Sequence, residues 1–219
     1  MIFKTFKEQK NNIDFHLHTT YTDGQSTLRQ MAQKCLELGY TTIAFTDHVR
    51  EDSDYLCEYF KEIDKIKKEL NIEIYKGIEA RICDFTGNIA YPKDKKAEII
   101  VASVHRISIN DKLFKINDFK PEIAFEIEKL LAVKAIKRQQ CNIIGHTGGM
   151  CIHSFNEFPV EYFEEIIKAC TEYNIAFEIN SRYHKKYIHR LEPILEKYNP
   201  YVTYGSDAHN TEEIRGIYE

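Results

Sequence analysis

No apolar run in this chain approaches the ~20 residues that a membrane-spanning helix needs, so no membrane anchor is expected. The N-terminal Met-Ile-Phe-Lys-Thr-Phe-Lys stretch is basic, but no apolar segment follows it, which argues against a secretory signal. The six cysteines are scattered and none forms C-x-x-C; reduced thiols and a cytoplasmic setting are expected. There is no excess of basic charge. Thirty Lys and Arg against 34 Asp and Glu leave −4, which offers no electrostatic footprint for a polyanion. Internal repeats, low-complexity segments and Gly/Ser linkers are also missing. So are a C-x5-R loop, a nucleophile elbow and a Walker A pattern, which leaves the corresponding phosphoryl and acyl chemistries without a motif.

What is present is a 219-residue chain of ordinary globular composition, 43% hydrophobic and 29% charged. That length suits one domain. Near-continuous apolar runs lie at 12–16, 42–46, 72–78, 98–104, 141–145, 175–179 and 201–204. Runs of this kind suit strands buried on both faces, as in parallel sheets. Helical periodicity falls between them, at 26–38, 53–70, 121–140, 159–173 and 190–198. Ser26 is the expected N-cap of the first helix, Gly39 its C′ residue, and Pro121 suits the first position of the third. Residues 80–97 read as an irregular link with Gly87-Asn88 as a turn. Repeated βα units imply a parallel sheet, open or closed, with its site at the carboxyl ends of the strands.

Nine histidines are the feature to explain. The first strand ends in His16-Leu17-His18, the second in Thr46-Asp47-His48, the third in Gly77-Ile78-Glu79. The fourth ends in Ser103-Val104-His105, the fifth in Gly145-His146, the seventh in Ser206-Asp207-Ala208-His209. Six of seven strands thus bring an imidazole or carboxylate to one rim. Residues i and i+2 of a strand share a face, so His16 and His18 form a natural chelate, and Asp207 and His209 can act likewise. Asp23, in the loop after the first strand, adds a carboxylate. Nitrogen and oxygen donors without thiolate suit Zn²⁺, Fe²⁺ or Mn²⁺. Packing these groups together without metal would leave buried polar atoms or clashing charge. His153, His184 and His189 follow no strand end and read as structural. Asp47 reads as a carboxylate that orients a histidine; Asp14 is open between core and site.

Asp-Phe-His-Leu-His-Thr with Tyr-Thr-Asp-Gly, then Thr-Asp-His, Gly-Ile-Glu, Ser-Val-His, Gly-His and Ser-Asp-Ala-His, in that order, resemble the PHP (polymerase and histidinol phosphatase) family over about residues 12–210. The resemblance implies an α/β fold, a distorted (β/α)7 barrel in a single domain (1–219), and a phosphoesterase with three divalent ions (Zn, Mn or Fe). It implies one ion at His16, His18, Glu79 and Asp207. A second would share Glu79 with His105 and His146, and a third would lie at Asp23, His48 and His209. The fifth motif departs from the frequent Gly-His-Pro: here it is Gly145-His146-Thr147-Gly148-Gly149.

Three ions bring +6 against −3 from Asp23, Glu79 and Asp207, and about +2 remains after a bridging hydroxide, which suits a phosphomonoester dianion. Glu79, Asp207 and His209 are the residues expected to carry the chemistry. Phosphate also favours a guanidinium fork. Arg182, just after the sixth strand, is the first candidate and Arg106 the second; His184 is a further candidate to protonate the leaving group. The leading expectation is hydrolysis of a small phosphomonoester: histidinol phosphate, a sugar phosphate or a nucleotide. A nuclease or nucleotide phosphodiesterase of the same family competes, although the charge disfavours a nucleic-acid partner. An amidohydrolase would want a bridging lysine where Glu79 stands. A non-catalytic metal-binding module is disfavoured by the complete ligand set. No pattern specifies an oligomeric state.

Overall fold

A computed structural model describes residues 3–8, 12–110 and 112–218. Met1 and Ile2 of the basic N-terminal stretch lie outside them. In chain order the elements are β1 (Lys4–Thr5), β2 (Ile13–Leu17), α1 (Leu28–Glu37), β3 (Thr42–Phe45), β4 (His48–Val49), α2 (Leu56–Glu69) and β5 (Glu73–Arg81). Then come β6 (Ile99–Ser103), a hairpin of β7 (Ile107–Ile109) and β8 (Lys112–Phe114), α3 (Pro121–Arg138), β9 (Ile143–Ile144) and α4 (Gly149–Phe155). The chain closes with α5 (Val160–Tyr173), β10 (Ala176–Asn180), α6 (Ile188–Tyr198) and β11 (Tyr201–Gly205).

The central sheet runs β1-β11-β10-β9-β6-β5-β3-β2, with β4 also paired to β5. Every pair is parallel except β1 with β11. All seven expected strands form. They are apolar on both sides because both sides are covered. One face packs on the helices through residues such as Ile43, Phe45, Ile144, Phe177 and Ile179. The other gathers Phe15, Ala44, Ile99, Val101, Ile143 and Ala176 into one cluster. A cluster that draws on β2, β3, β6, β9 and β10 together requires the sheet to curl. At their carboxyl ends the two outer strands meet. Asp207 N donates to His16 O at 3.0 Å, and His18 N to Ala208 O at 2.9 Å. The only β-pairing between β2 and the β11 end among the described residues is the single parallel bridge Leu17–Ala208. The architecture is therefore an α/β fold with a mostly parallel, curled central sheet.

Three local expectations need correction. The N-cap of α1 is Thr27, in a reciprocal capping box with Gln30; Ser26 Oγ instead accepts from Thr211 N at 3.3 Å. Residues 149–155, outside the expected helices, form α4. It follows a glycine pair and carries no amphipathic stripe, so periodicity could not mark it. Its first N–H groups, those of Met150 and Cys151, donate to the buried Glu128 carboxylate at 3.2 and 2.9 Å. The short β1, β4, β7 and β8 were also unforeseen. Gly39, at φ +83°, does hold the C′ place after α1. No helix among the described residues is long and apolar enough to cross a membrane.

Candidate metal centre

The register of β5 organises the centre. Glu79 lies beside His48 on β4, and β6 on its other side leads on to His105. Both Glu79 oxygens are used. Oε1 lies 3.1 Å from His146 Nε2, 3.2 Å from His16 Nε2 and 3.3 Å from His105 Nε2. Oε2 lies 2.7 Å from His48 Nδ1 and 3.6 Å from His18 Nε2. The register shifts between Asp14 and Leu17 on β2, where His16 and His18 turn toward this carboxylate. Asp207, held at φ 55° in the left-handed region, presents Oδ1 at 3.3 Å from His18 Nε2 and 3.7 Å from His16 Nε2. Asp23 completes the arc, 3.3 Å from His48 Nε2 and 3.5 Å from His209 Nε2.

All nine expected ligands converge. Their donor atoms form four groups with members within 4.8 Å of one another. These are His16, His18 and Asp207; His16, Glu79 and His146; His48, Glu79 and His105; and His18, Asp23, His48 and His209. The grouping differs from the expectation in two ways. His18 joins the Asp23 set, and His105 and His146, although both face Glu79 Oε1, fall in separate groups, His146 with His16 and His105 with His48.

The donors suit divalent cations. His16 Nε2, His18 Nε2 and Glu79 Oε2 are buried and make no hydrogen bond, an arrangement that is costly unless a cation completes them. The electrostatics agree. Burial would raise the Glu79 carboxyl, but His105, His16 and His48 hold it well below the usual range. Burial opposes charge on His48 as well, yet Glu79 and Asp23 push it up to about 10. Here protons on imidazoles offset the carboxylates, and bound cations would displace them.

The partner that orients His16 was missed. Glu178, on β10, accepts from His16 Nδ1 at 2.7 Å and from His146 N, leaving His16 Nε2 aimed at the centre. The sixth strand was the one expected to bring no imidazole or carboxylate to the rim. A carboxylate inside a fully buried strand was the available signal. Gly205 lets this pair approach, since a Cβ there would lie 2.6 Å from His16 Cβ and collide with Glu178. Among the described residues, no histidine hydrogen-bonds to the Asp47 carboxylate. It accepts from Thr19 N at 2.9 Å and from the hydroxyls of Thr19 and Thr22 at 2.8 and 2.7 Å, bracing the loop that carries Asp23. Asp14 Oδ1 accepts from His16 N and Ser206 N, both at 3.1 Å, and so ties β2 to the end of β11.

The centre opens into a cleft of about 1430 Å³. Arg182 and Arg106 both line it, as do His153, Arg50 and Arg81, none of which was singled out from the sequence as a site residue. Arg182 Nη1 lies 3.2 Å from Asp207 O and 3.4 Å from its Oδ2. His189 is on the surface. His184 is fully buried; Asn180 N donates to its Nδ1 at 3.0 Å, and its Nε2 donates to Thr147 O at 2.8 Å. Burial pushes it down to about 4. It is a core histidine and not a proton donor to substrate.

A curled parallel sheet that aims imidazoles and carboxylates from its strand ends at one cleft defines an α/β protein built around a metal centre. The PHP domain model matches residues 14–182, and the chain belongs to the PHP family. It is 30% identical over 211 residues to the DNA polymerase/3'-5' exonuclease PolX of Bacillus subtilis, covering 91% of this chain but only 34% of that protein. It is 26% identical over 213 residues to a Caldicellulosiruptor bescii protein named "Probable phosphatase", covering 92% of this chain and 81% of that one. The fold is similar to that of histidinol phosphate phosphatase from Lactococcus lactis, solved with zinc, L-histidinol and phosphate. The TM-score is 0.75 at 22% identity, over 92% of this chain and 87% of that one.

Proposed function

We propose that this chain is a metal-dependent phosphatase that hydrolyses a small phosphomonoester at a centre of three divalent ions (Zn, Mn or Fe). The observation that carries the reading is the convergence of nine nitrogen and oxygen donors, several without hydrogen-bond partners, on an open cleft bordered by Arg182. The relative named as a phosphatase, matched over most of both chains, supports it. So does the family to which the chain belongs. The Lactococcus lactis phosphatase was solved with zinc and phosphate.

His16, His18, Glu79 and Asp207 would hold one ion, Glu79, His105 and His146 a second, and Asp23, His48 and His209 a third. Bound there, divalent ions would polarise phosphoryl oxygens and lower the pKa of water toward ~7. The chain's own residues do the rest. Glu79 spans the centre through both oxygens and keeps the imidazoles gathered. Asp207 links the centre to Arg182, whose fork pairs with the phosphate's equatorial oxygens. His209 donates from Nδ1 to Asp207 O at 2.9 Å, which leaves Nε2 facing Asp23 and the ion site. Arg106 stands as a second cation on the far wall. Histidinol phosphate, a sugar phosphate and a nucleotide all fit this chemistry.

The proposal takes the curled sheet as a distorted (β/α)7 barrel and the whole of 1–219 as one domain, supported by the hydrogen bonds that join the ends of β2 and β11. A cytoplasmic setting is supported by six free thiols. Elemental analysis of purified protein beside a screen of phosphorylated metabolites tests the function. Metal near zero in both wild type and His16→Ala/His18→Ala would sink it.

One observation favours a second reading, hydrolysis of nucleic acid: the similarity to a protein named for an exonuclease activity. Turnover of single-stranded oligonucleotides at two salt concentrations separates the two. A strand-binding nuclease loses affinity steeply, with a log-log slope of about −0.7 per phosphate contacted. Mild salt dependence on small esters is the outcome expected here.

A further inference from the structure

Four arginines line the cleft, and the reaction proposed above gives a phosphate-binding role to one. Topology separates them. Arg182 follows β10 and leans on Asp207. Arg50, Arg81 and Arg106 lie at or just beyond the ends of β4, β5 and β6, which are neighbours in the sheet. Arg50 follows Val49, which is in register with Ala80. Arg81 is in register with Ser103, and Arg106 lies just past His105. These three arginines therefore leave from one stretch of the cleft wall, and β9 separates their strands from β10 and Arg182. Arg81 Nη1 is buried without a hydrogen-bond partner. None of the three comes within 4.0 Å of a described carboxylate oxygen, although Glu51 and Asp52 share the wall.

A buried guanidinium nitrogen without an acceptor is unfavourable, and neighbouring like charges add to the cost. An anion shared among the three relieves both, because each fork can pair with two oxygens. We propose that the substrate carries a second anionic group, phosphate or carboxylate, remote from the scissile phosphate, and that Arg50, Arg81 and Arg106 bind it. This deepens the phosphatase reading and rests on it. An apolar tail would leave Arg81 Nη1 unpaired, a hydroxyl tail could accept one bond but would not offset the positive charge, and an amine tail would favour Glu51 and Asp52.

The test uses matched esters with three to six carbons between their ends: ω-hydroxyalkyl phosphates, ω-phosphonooxy carboxylates, alkanediol bisphosphates and ω-aminoalkyl phosphates. For at least one chain length, kcat/KM for a doubly anionic ester should exceed that of its hydroxyl counterpart at least tenfold, well beyond the factor of two from a second scissile phosphate. Whether carboxylate or bisphosphate leads identifies the second group. Arg81→Gln should reduce that ratio at least fivefold. So should Arg50→Gln/Arg106→Gln, whose exposed side chains make misfolding no explanation. A non-hydrolysable alkane bisphosphonate should also raise Tm more than the corresponding alkyl monophosphonate, with the surplus lost in both variants. Equal turnover of hydroxyl and anionic esters overturns the second subsite and leaves the phosphatase standing. Preference for the amine, or a preference that survives in the variants, overturns it as well. No turnover of any ester overturns the phosphatase reading and this inference together.

Discussion

His16 and His184 are equally buried, yet they sit in opposite chemical situations. His184 has both ring nitrogens engaged by backbone, between Asn180 N and Thr147 O. Its imidazole is neutral and closes off the polar atoms around it. His16 has one nitrogen anchored by Glu178 and the other directed at Glu79 with no hydrogen bond. Its Nε2 is open to a proton or, in its place, a cation. Burial alone therefore does not separate a structural histidine from a ligand. What separates them is whether the second nitrogen is engaged by a backbone group or is itself left without a hydrogen bond.

The largest effect expected from breaking this contrast is on the ligand side. Glu79→Gln keeps the shape but removes the charge that gathers five imidazoles, and should lower kcat by about 10³-fold or more, or ~4 kcal/mol of barrier. Circular dichroism and Tm should show a folded chain. Activity within a few-fold of wild type would remove Glu79 from its bridging place.

The structural histidine should behave the opposite way. His184→Ala leaves Asn180 N and Thr147 O without partners and opens a cavity, for a loss of about 3 kcal/mol of stability. Bound metal per folded molecule should stay unchanged. The pH dependence sharpens this. Its folded pKa of about 4 lies below the 6.5 of a free imidazole, so the unfolded chain binds more protons between those values. The His184 contribution is complete above pH 6.5 and is lost as pH falls toward 4, by roughly 3 kcal/mol. Asp14, raised to about 7 by burial, titrates in the reverse sense over the same window. The quantity to measure is therefore the difference in unfolding free energy between wild type and His184→Gln. A difference that does not change from pH 4 to 6.5 would contradict the neutral, buried assignment.

The smallest effect concerns the carboxylate behind the ligand. Glu178→Gln retains an acceptor for His16 Nδ1 but weakens its hold, and should reduce metal affinity or activity by about 10–100-fold. Competition with a chelator reads this directly. An unaltered affinity would mean that packing, not Glu178, orients the ring.

Much of the centre was legible because strand ends obey a local rule. Each candidate ligand except Asp23 follows an apolar run, and parallel βα order sends all such ends to one rim. Thus His16, His18, His48, Glu79, His105, His146, Asp207 and His209 could be singled out before any fold was seen, and Asp23 by its motif. Other residues carried no such mark. Glu178 lies inside a strand, and its role depends on Gly205 allowing β11 and His16 to come close. Asp47 looked like a partner for histidine but braces Thr19 and Thr22, because the loop after β2 folds back over it. Arg50 and Arg81 are ordinary charges in sequence, and only the pairing of β4, β5 and β6 puts them beside Arg106.

The order of apolar runs, and the polar residues at their ends, were enough to determine a parallel α/β sheet and the donor set at its carboxyl edge. Both are short-range properties: strand periodicity, and the residue that follows it. Which imidazole meets which carboxylate oxygen was decided by the curl of the sheet and the register of β5 against β4 and β6. Those contacts join residues separated by tens to more than a hundred positions, and no local pattern encodes the distance between them. The same holds for the two histidine roles, since His16 and His184 differ in what the folded chain brings to their second nitrogen.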